Sequence, residues 1–131
     1  MLDCLILGDS IAVGIHSARP ECVAYTKTGI NSAQWNNKFI TNNLHATTVI
    51  ISLGSNDYTR IKTLSELETL REVLAGDRVY WILPANKPDI REMIRHIANR
   101  YGDSVITIPE LLQDGIHPTT HGYKKIGELT K

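Results

Sequence analysis

The sequence predicts an α/β fold, a doubly wound three-layer α/β/α sandwich on a five-stranded parallel sheet of order 2-1-3-4-5. Three observations predict it. Short apolar runs alternate with longer helix-like segments along the chain, the signature of strand–helix–strand units. The clearest run, TVIISL at 48–53, is rich in β-branched residues, which fit a sheet. The 131 residues suit one domain spanning 1–131, with no linker, low-complexity tract or internal repeat.

Taken in order, LDCLIL at 2–7 reads as a buried strand, and the segment at 11–18 as the helix that follows it. ECVAYT at 21–26 is a second, weaker strand, followed by a helix over 31–42. After the strand at 48–53 comes LSELETLREVLA at 64–75, whose apolar residues recur at helical spacing, with Gly76 as the expected stop. RVYWIL at 78–83 is the fourth strand. Proline and aspartate open the next helix, 88–100, as suits a first turn. SVITI at 104–108 is the fifth strand, and a helix over 118–129 closes the chain.

Composition narrows the function. Fourteen basic and fourteen acidic residues cancel, so no basic surplus points to nucleic acid or an anionic membrane as partner. No apolar run approaches the length of a membrane span, and no signal peptide is evident; the default expectation is cytoplasmic. The two cysteines, Cys4 and Cys22, form no zinc spacing. Cys4 reads as a small buried hydrophobe, and a Cys4–Cys22 disulfide is the lesser alternative. The oligomeric state is not legible.

In a parallel sheet of this type ligands bind beyond the carboxyl ends of the strands, so the loops after each strand matter most. Gly8-Asp9-Ser10 follows the first strand and opens a helix. Ser10 either caps that helix or presents a nucleophilic hydroxyl beside backbone donors that favour negative charge. Asp9 is expected to brace this loop by accepting backbone hydrogen bonds. Asp114-Gly115-Ile116-His117-Pro118 follows the fifth strand. Turn chemistry explains its Asp and Gly but not its His. A serine nucleophile needs a base of near-neutral pKa, and a carboxylate holds that imidazole in one tautomer.

Gly54-Ser55-Asn56-Asp57 follows the strongest strand. All four are turn residues, yet an asparagine amide there can also point at a developing oxyanion. Gly29, in Thr28-Gly29-Ile30-Asn31-Ser32, lets the backbone approach a ligand and offer its N–H.

Together these blocks resemble the SGNH hydrolases, also called GDSL esterases and lipases. The matching residues are Ser10 in GDS, Gly29 in TGINS, Asn56 in GSND, and Asp114 with His117 in DGIHP. All four blocks occur in order and span nearly the whole chain. The resemblance implies a three-layer fold, no metal or cofactor, and an acyl-serine mechanism. Ser10 would be the nucleophile, His117 the base and Asp114 its orienter. The N–H groups of Ser10 and Gly29 and the Asn56 side chain would form the oxyanion hole. The opening differs from the usual GDSLS, reading Gly8-Asp9-Ser10-Ile11-Ala12. The chain is also shorter than most members, which implies missing insertions and an open, shallow site suited to short acyl groups.

The expected substrate is a small-molecule or carbohydrate ester, with an acetylated carbohydrate as the narrower form. A thioesterase or lysophospholipase-type acyl hydrolase is the alternative within the same chemistry. A non-catalytic binding module is an alternative of another class, and the intact Ser10, Asn56, Asp114 and His117 set speaks against it. A flavodoxin-like nucleotide or signalling domain would need a phosphate loop or an acidic cluster, which Asp3 and Asp9 match poorly. Tyr58 and Asn86 lie on the same rim and are candidate substrate contacts. His121, four residues after His117, has metal-ligand spacing but no third ligand, so it reads as a helix-surface residue. His16, His45 and His96 read as structural, and Trp35 and Trp81 as core anchors.

Overall fold

A computed structural model describes residues 1–131. Five parallel strands, β1 (Leu2–Gly8), β2 (Val23–Thr26), β3 (Ala46–Ser52), β4 (Arg78–Leu83) and β5 (Ser104–Thr107), form one sheet of order β2-β1-β3-β4-β5. Between them run α1 (Ser10–Ala18), α2 (Ser32–Phe39), α3 (Thr63–Val73) and α4 (Pro88–Tyr101), and α5 (Thr120–Leu129) follows β5.

The middle stretches of the central strands, 4–7, 49–51 and 81–83, are apolar because both faces are covered there. Alternation along β1 sends Leu5 and Leu7 to one side and Cys4 and Ile6 to the other. The first side packs with Val49, Ile51, Val79 and Trp81 against α2, α3 and α4. The second packs with Ile50, Ile82 and Ile106 against α1 and α5. Helix α4 shows how sequence sets the face: Ile90, Ile94, Ile97 and Ala98 form one buried stripe. Proline opens that helix, and Gly102, in the left-handed region at φ 73°, closes it by donating to the Ala98 carbonyl.

Three sequence expectations change. Gly76 does not stop a helix. Helix α3 ends at Val73, and residue 75 runs beside His45 in a parallel bridge, which leaves an added Cβ at Gly76 only 3.0 Å from the Ala46 carbonyl oxygen. Helix α2 is shorter than expected at both ends: Asn31 lies outside it as the cap, in a reciprocal pair with Gln34, and it stops at Phe39 with Ile40 as its C-cap instead of running to Asn42. Cys4 is not a free thiol. The β1–β2 register pairs Leu5 with Val23, which sets Cys22 next to Cys4, and the two form a disulfide. Such bonds persist in oxidising compartments.

The chain runs from β1 outward to β2, then crosses back to β3. The sheet therefore reverses its winding between β1 and β3, and a crevice opens at their carboxyl ends. Gly8 and Ser52 are partners at that point. Gly8 is forced to be glycine: at φ 142° a Cβ would lie 1.8 Å from the Ser52 carbonyl oxygen.

Candidate functional site

The nucleophile loop is built by Asp9. Its Oδ1 accepts hydrogen bonds from the Ile11 N–H at 3.0 Å and from the Ser52 hydroxyl at 3.2 Å. Asp9, not Ser10, is thus the N-cap of α1. Ser10 is the first helical residue, and its hydroxyl is free to face the crevice.

That hydroxyl donates to His117 Nε2 at 3.0 Å. His117 Nδ1 in turn donates to Asp114 Oδ2 at 2.7 Å, which leaves Nε2 unprotonated and able to accept. The other Asp114 oxygen, Oδ1, accepts from the N–H groups of Ile116 and His117 at 2.9 and 3.0 Å. These backbone bonds, first that of Ile116, with the His117 side chain, hold the Asp114 carboxyl down at about 2. The loop is pinned at its base where the Leu112 N–H donates to the His117 carbonyl and Leu111 pairs with Pro118. Pro118 therefore belongs to the loop, and α5 starts two residues later, capped by Thr119.

Gly29 and Asn56 come from the adjoining loops. The Lys27 N–H donates to the Gly8 carbonyl at 3.0 Å, which lays the loop after β2 against the one bearing Ser10. Asn56 Nδ2 donates to the Ile30 carbonyl at 3.0 Å; an amide carries two hydrogens, so one remains for a ligand. Gly29 adopts φ 81°, and its N–H has no partner in the chain. Tyr58 and Asn86 line a separate depression of about 440 Å³ with Thr59, Lys87 and Met93. His121 is exposed on α5. His16 Nε2 bonds the Cys22 carbonyl at 3.0 Å, and His45 and His96 are exposed. Trp35 and Trp81 are fully buried and donate to the Tyr25 carbonyl and to Asp103.

Sequence reasoning missed Asp57. It is buried, and it accepts from the Ser32 N–H at 2.9 Å, the Ser32 hydroxyl at 2.6 Å and the Thr63 hydroxyl at 2.7 Å. One carboxyl group so joins the starts of α2 and α3 beside Asn56. Its setting among turn-forming residues hid it.

Asp9 is the one strongly buried carboxyl beside Ser10. Burial pushes it up from 3.8 to about 6, against the lowering effect of its Ile11 and Ser52 bonds. Its Oδ2 is buried without a partner, a natural seat for the proton. Between about pH 6 and pH 4 the folded chain therefore binds a proton that the unfolded chain releases. Stability should rise by about 2–3 kcal/mol as pH falls through this window. Below it the depressed Asp114 acts in the opposite sense, and its contribution is lost as pH falls toward 2. Urea midpoints taken at pH 7.5, 6 and 4.5 should climb for the parent and stay level for Asp9→Asn. A level profile in the parent would refute the raised carboxyl.

No model of a protein family matches this chain, and no curated protein does. Solved structures do. One is a Bacteroides fragilis protein provisionally assigned as an acylhydrolase, 17% identical over 97% of this chain and 83% of that one, with a TM-score of 0.71. Another is the C-terminal catalytic domain of Streptococcus pneumoniae peptidoglycan O-acetyltransferase A, determined with a methylsulfonyl adduct. It is 14% identical over 97% of this chain and 89% of that one, with a TM-score of 0.64. This chain shares the fold of both, the five-stranded parallel sheet between two layers of helices.

Proposed function

We propose that this protein is a serine esterase acting on short-acyl esters of small molecules or carbohydrates, by way of an acyl-serine intermediate. The observation that carries the reading is the connected relay of Ser10 Oγ, the His117 ring and the Asp114 carboxyl, at 3.0 and 2.7 Å. In this reading Ser10 Oγ attacks the ester carbonyl as its proton passes to His117 Nε2. The carbonyl oxygen becomes an oxyanion, received by the N–H groups of Ser10 and Gly29 and the free Asn56 amide hydrogen. Each such donor contributes about 3–4 kcal/mol to the transition state. The carbon–oxygen bond to the alcohol then breaks, and His117 protonates the departing oxygen. Water enters, gives its proton to His117 and attacks the acyl carbon. Ser10 leaves and recovers that proton. Asp114 keeps Nδ1 as the proton-bearing nitrogen throughout.

Two features support a short acyl group. Neither Ser10 nor His117 lines one of the depressions of about 300–460 Å³ on the surface, which favours a short acyl group over a long chain. The side chains of His117 and Asp114 are about two-fifths exposed, at 37% and 43%. The S. pneumoniae neighbour is named a transferase, and an acyl-serine serves transfer as well as hydrolysis; an open rim admits water as acceptor.

A p-nitrophenyl ester series tests this. Acetate to butyrate should be turned over and octanoate should not. On the acid side kcat/KM should fall, since a histidine base works only in its neutral form, and the loss is not Asp114's, whose carboxyl stays charged down to about 2. A preference for octanoate would overturn the acyl assignment. A profile flat into acid would overturn the histidine base.

A further inference from the structure

We infer that the depression beside Gly29 selects esters whose scaffold carries an oxyanion, a carboxylate or a phosphate, an inference that rests on Ser10 being the acyl carrier. The depression holds about 300 Å³ and is lined by Lys27, Thr28, Gly29, Ile30, Gln34 and Lys38. It adjoins the loops that bear Ser10 and Asn56. Lys27 bonds the Gly8 carbonyl two residues before Ser10, and Ile30 accepts the Asn56 amide. In this inference a group carried beyond the carbonyl of an ester seated at Ser10 enters it.

Its chemistry is one-sided. The lining contains no carboxyl group. Neither lysine takes part in a salt bridge; those present involve Arg19, Arg71, Arg95, Arg100 and His117. The Gln34 carbonyl is engaged by the Asn31 N–H, and its amide hydrogens have no acceptor in the chain. Lys38 Nζ lies over the Phe39 ring at 5.6 Å but, like Lys27 Nζ and the Gln34 amide, gives no hydrogen bond within the chain, so the side-chain nitrogens here are all available donors, and the Gly29 N–H adds another. An anion rich in acceptors fits such a set, and charge-assisted bonds are the strong ones.

The asymmetry extends along the rim. The loops at 27–31, 53–62 and 84–87 carry Lys27, Arg60, Lys62 and Lys87. Their one acidic residue is Asp57, which is buried and saturated with hydrogen bonds. The other acids at the strand ends are Asp9, buried in the loop after β1, Asp89 in the first turn of α4, and Glu110 and Asp114 after β5. In a chain of zero net charge the two lysines of this depression, with no acid in its lining, make a local positive charge that attracts and orients an anionic substrate.

Two readouts test the inference. The first compares kcat/KM for an acetylated methyl glucuronide with that for the matching acetylated methyl glucoside. The charged ester should be favoured about tenfold at low salt. The ratio should shrink at high salt and fall toward one in Lys27→Ala/Lys38→Ala. A ratio near one in the parent, or one that the double variant leaves intact, overturns the inference. The second readout needs no turnover. Amide resonances of the full chain are followed while D-glucuronate, glucose 6-phosphate or glucose is added. Saturable shifts at Lys27 and Gly29 are expected with an anionic sugar, absent with glucose and lost in the double variant. Their absence with both anions overturns the inference. Response to one anion alone tells carboxylate from phosphate. If neither ester is cleaved, the esterase reading fails, while the titration still decides whether the depression binds an anion.

Discussion

Replacing Ser10 by alanine should lower kcat/KM for p-nitrophenyl acetate by at least about a thousandfold while leaving the fold in place. The loss is large because the hydroxyl would be both the attacking atom and the acyl carrier. Oxyanion donors alone leave only a weak residual catalysis by water. The fold should survive because Ser10 Oγ bonds only His117 Nε2. The cap of α1 belongs to Asp9, so Ser10→Ala takes no hydrogen bond from the helix and adds no strain. The melting temperature should shift by no more than about 2 °C. A fluorophosphonate probe gives an independent view: the parent should carry the label on the peptide containing Ser10, and the variant none. Equal hydrolysis by the two proteins would remove Ser10 from the reaction. A large drop in melting temperature would mean that the hydroxyl is structural after all.

The sheet was legible because its evidence is repetitive. Five apolar runs, each followed by a helical pattern, admit few topologies, and short right-handed crossovers leave the order found here. The loop residues were legible for another reason. Ser10, Gly29, Asn56, Asp114 and His117 are distant in sequence, yet each follows a strand of one parallel sheet, so direction alone carries them to one edge. What the sequence hid depends on side-chain partners. The choice between Ser10 and Asp9 as helix cap turns on a bond from Ile11 to Asp9 Oδ1, and both residues are good caps. The Cys4–Cys22 bond follows from strand register, which two sparse cysteines do not reveal. Gly76 looked like a helix stop because glycine commonly is one; here its role is close packing against Ala46 and Val49.

Asp57→Ala should cost about 3–4 kcal/mol of stability, a fall of roughly 10 °C in melting temperature for a chain of this size. The reasoning starts from the three hydrogen bonds that end on this carboxyl, from the Ser32 N–H, the Ser32 hydroxyl and the Thr63 hydroxyl. Asp57, Ser32 and Thr63 are all buried. Deleting the acceptor leaves three donors without partners, and each costs about 1–3 kcal/mol less what water entering the space recovers. The cost should reach function as well. Asp57 is the neighbour of Asn56, and Ser32 lies two residues beyond Ile30, the acceptor of the Asn56 amide. Once the two loops are untied, the Asn56 amide no longer holds its aim. The variant, assayed well below its melting point, should then lose about tenfold to a hundredfold in kcat, with little change in KM. Asp57→Asn keeps one oxygen for the Ser32 N–H, and the hydroxyls can turn to accept from its amide. It should recover about half of the stability and more of the rate than alanine allows. If Asp57→Ala melts within about 2 °C of the parent, the carboxyl is not the tie between these loops. If it melts early but keeps full kcat, Asn56 is positioned by its bond to Ile30 alone.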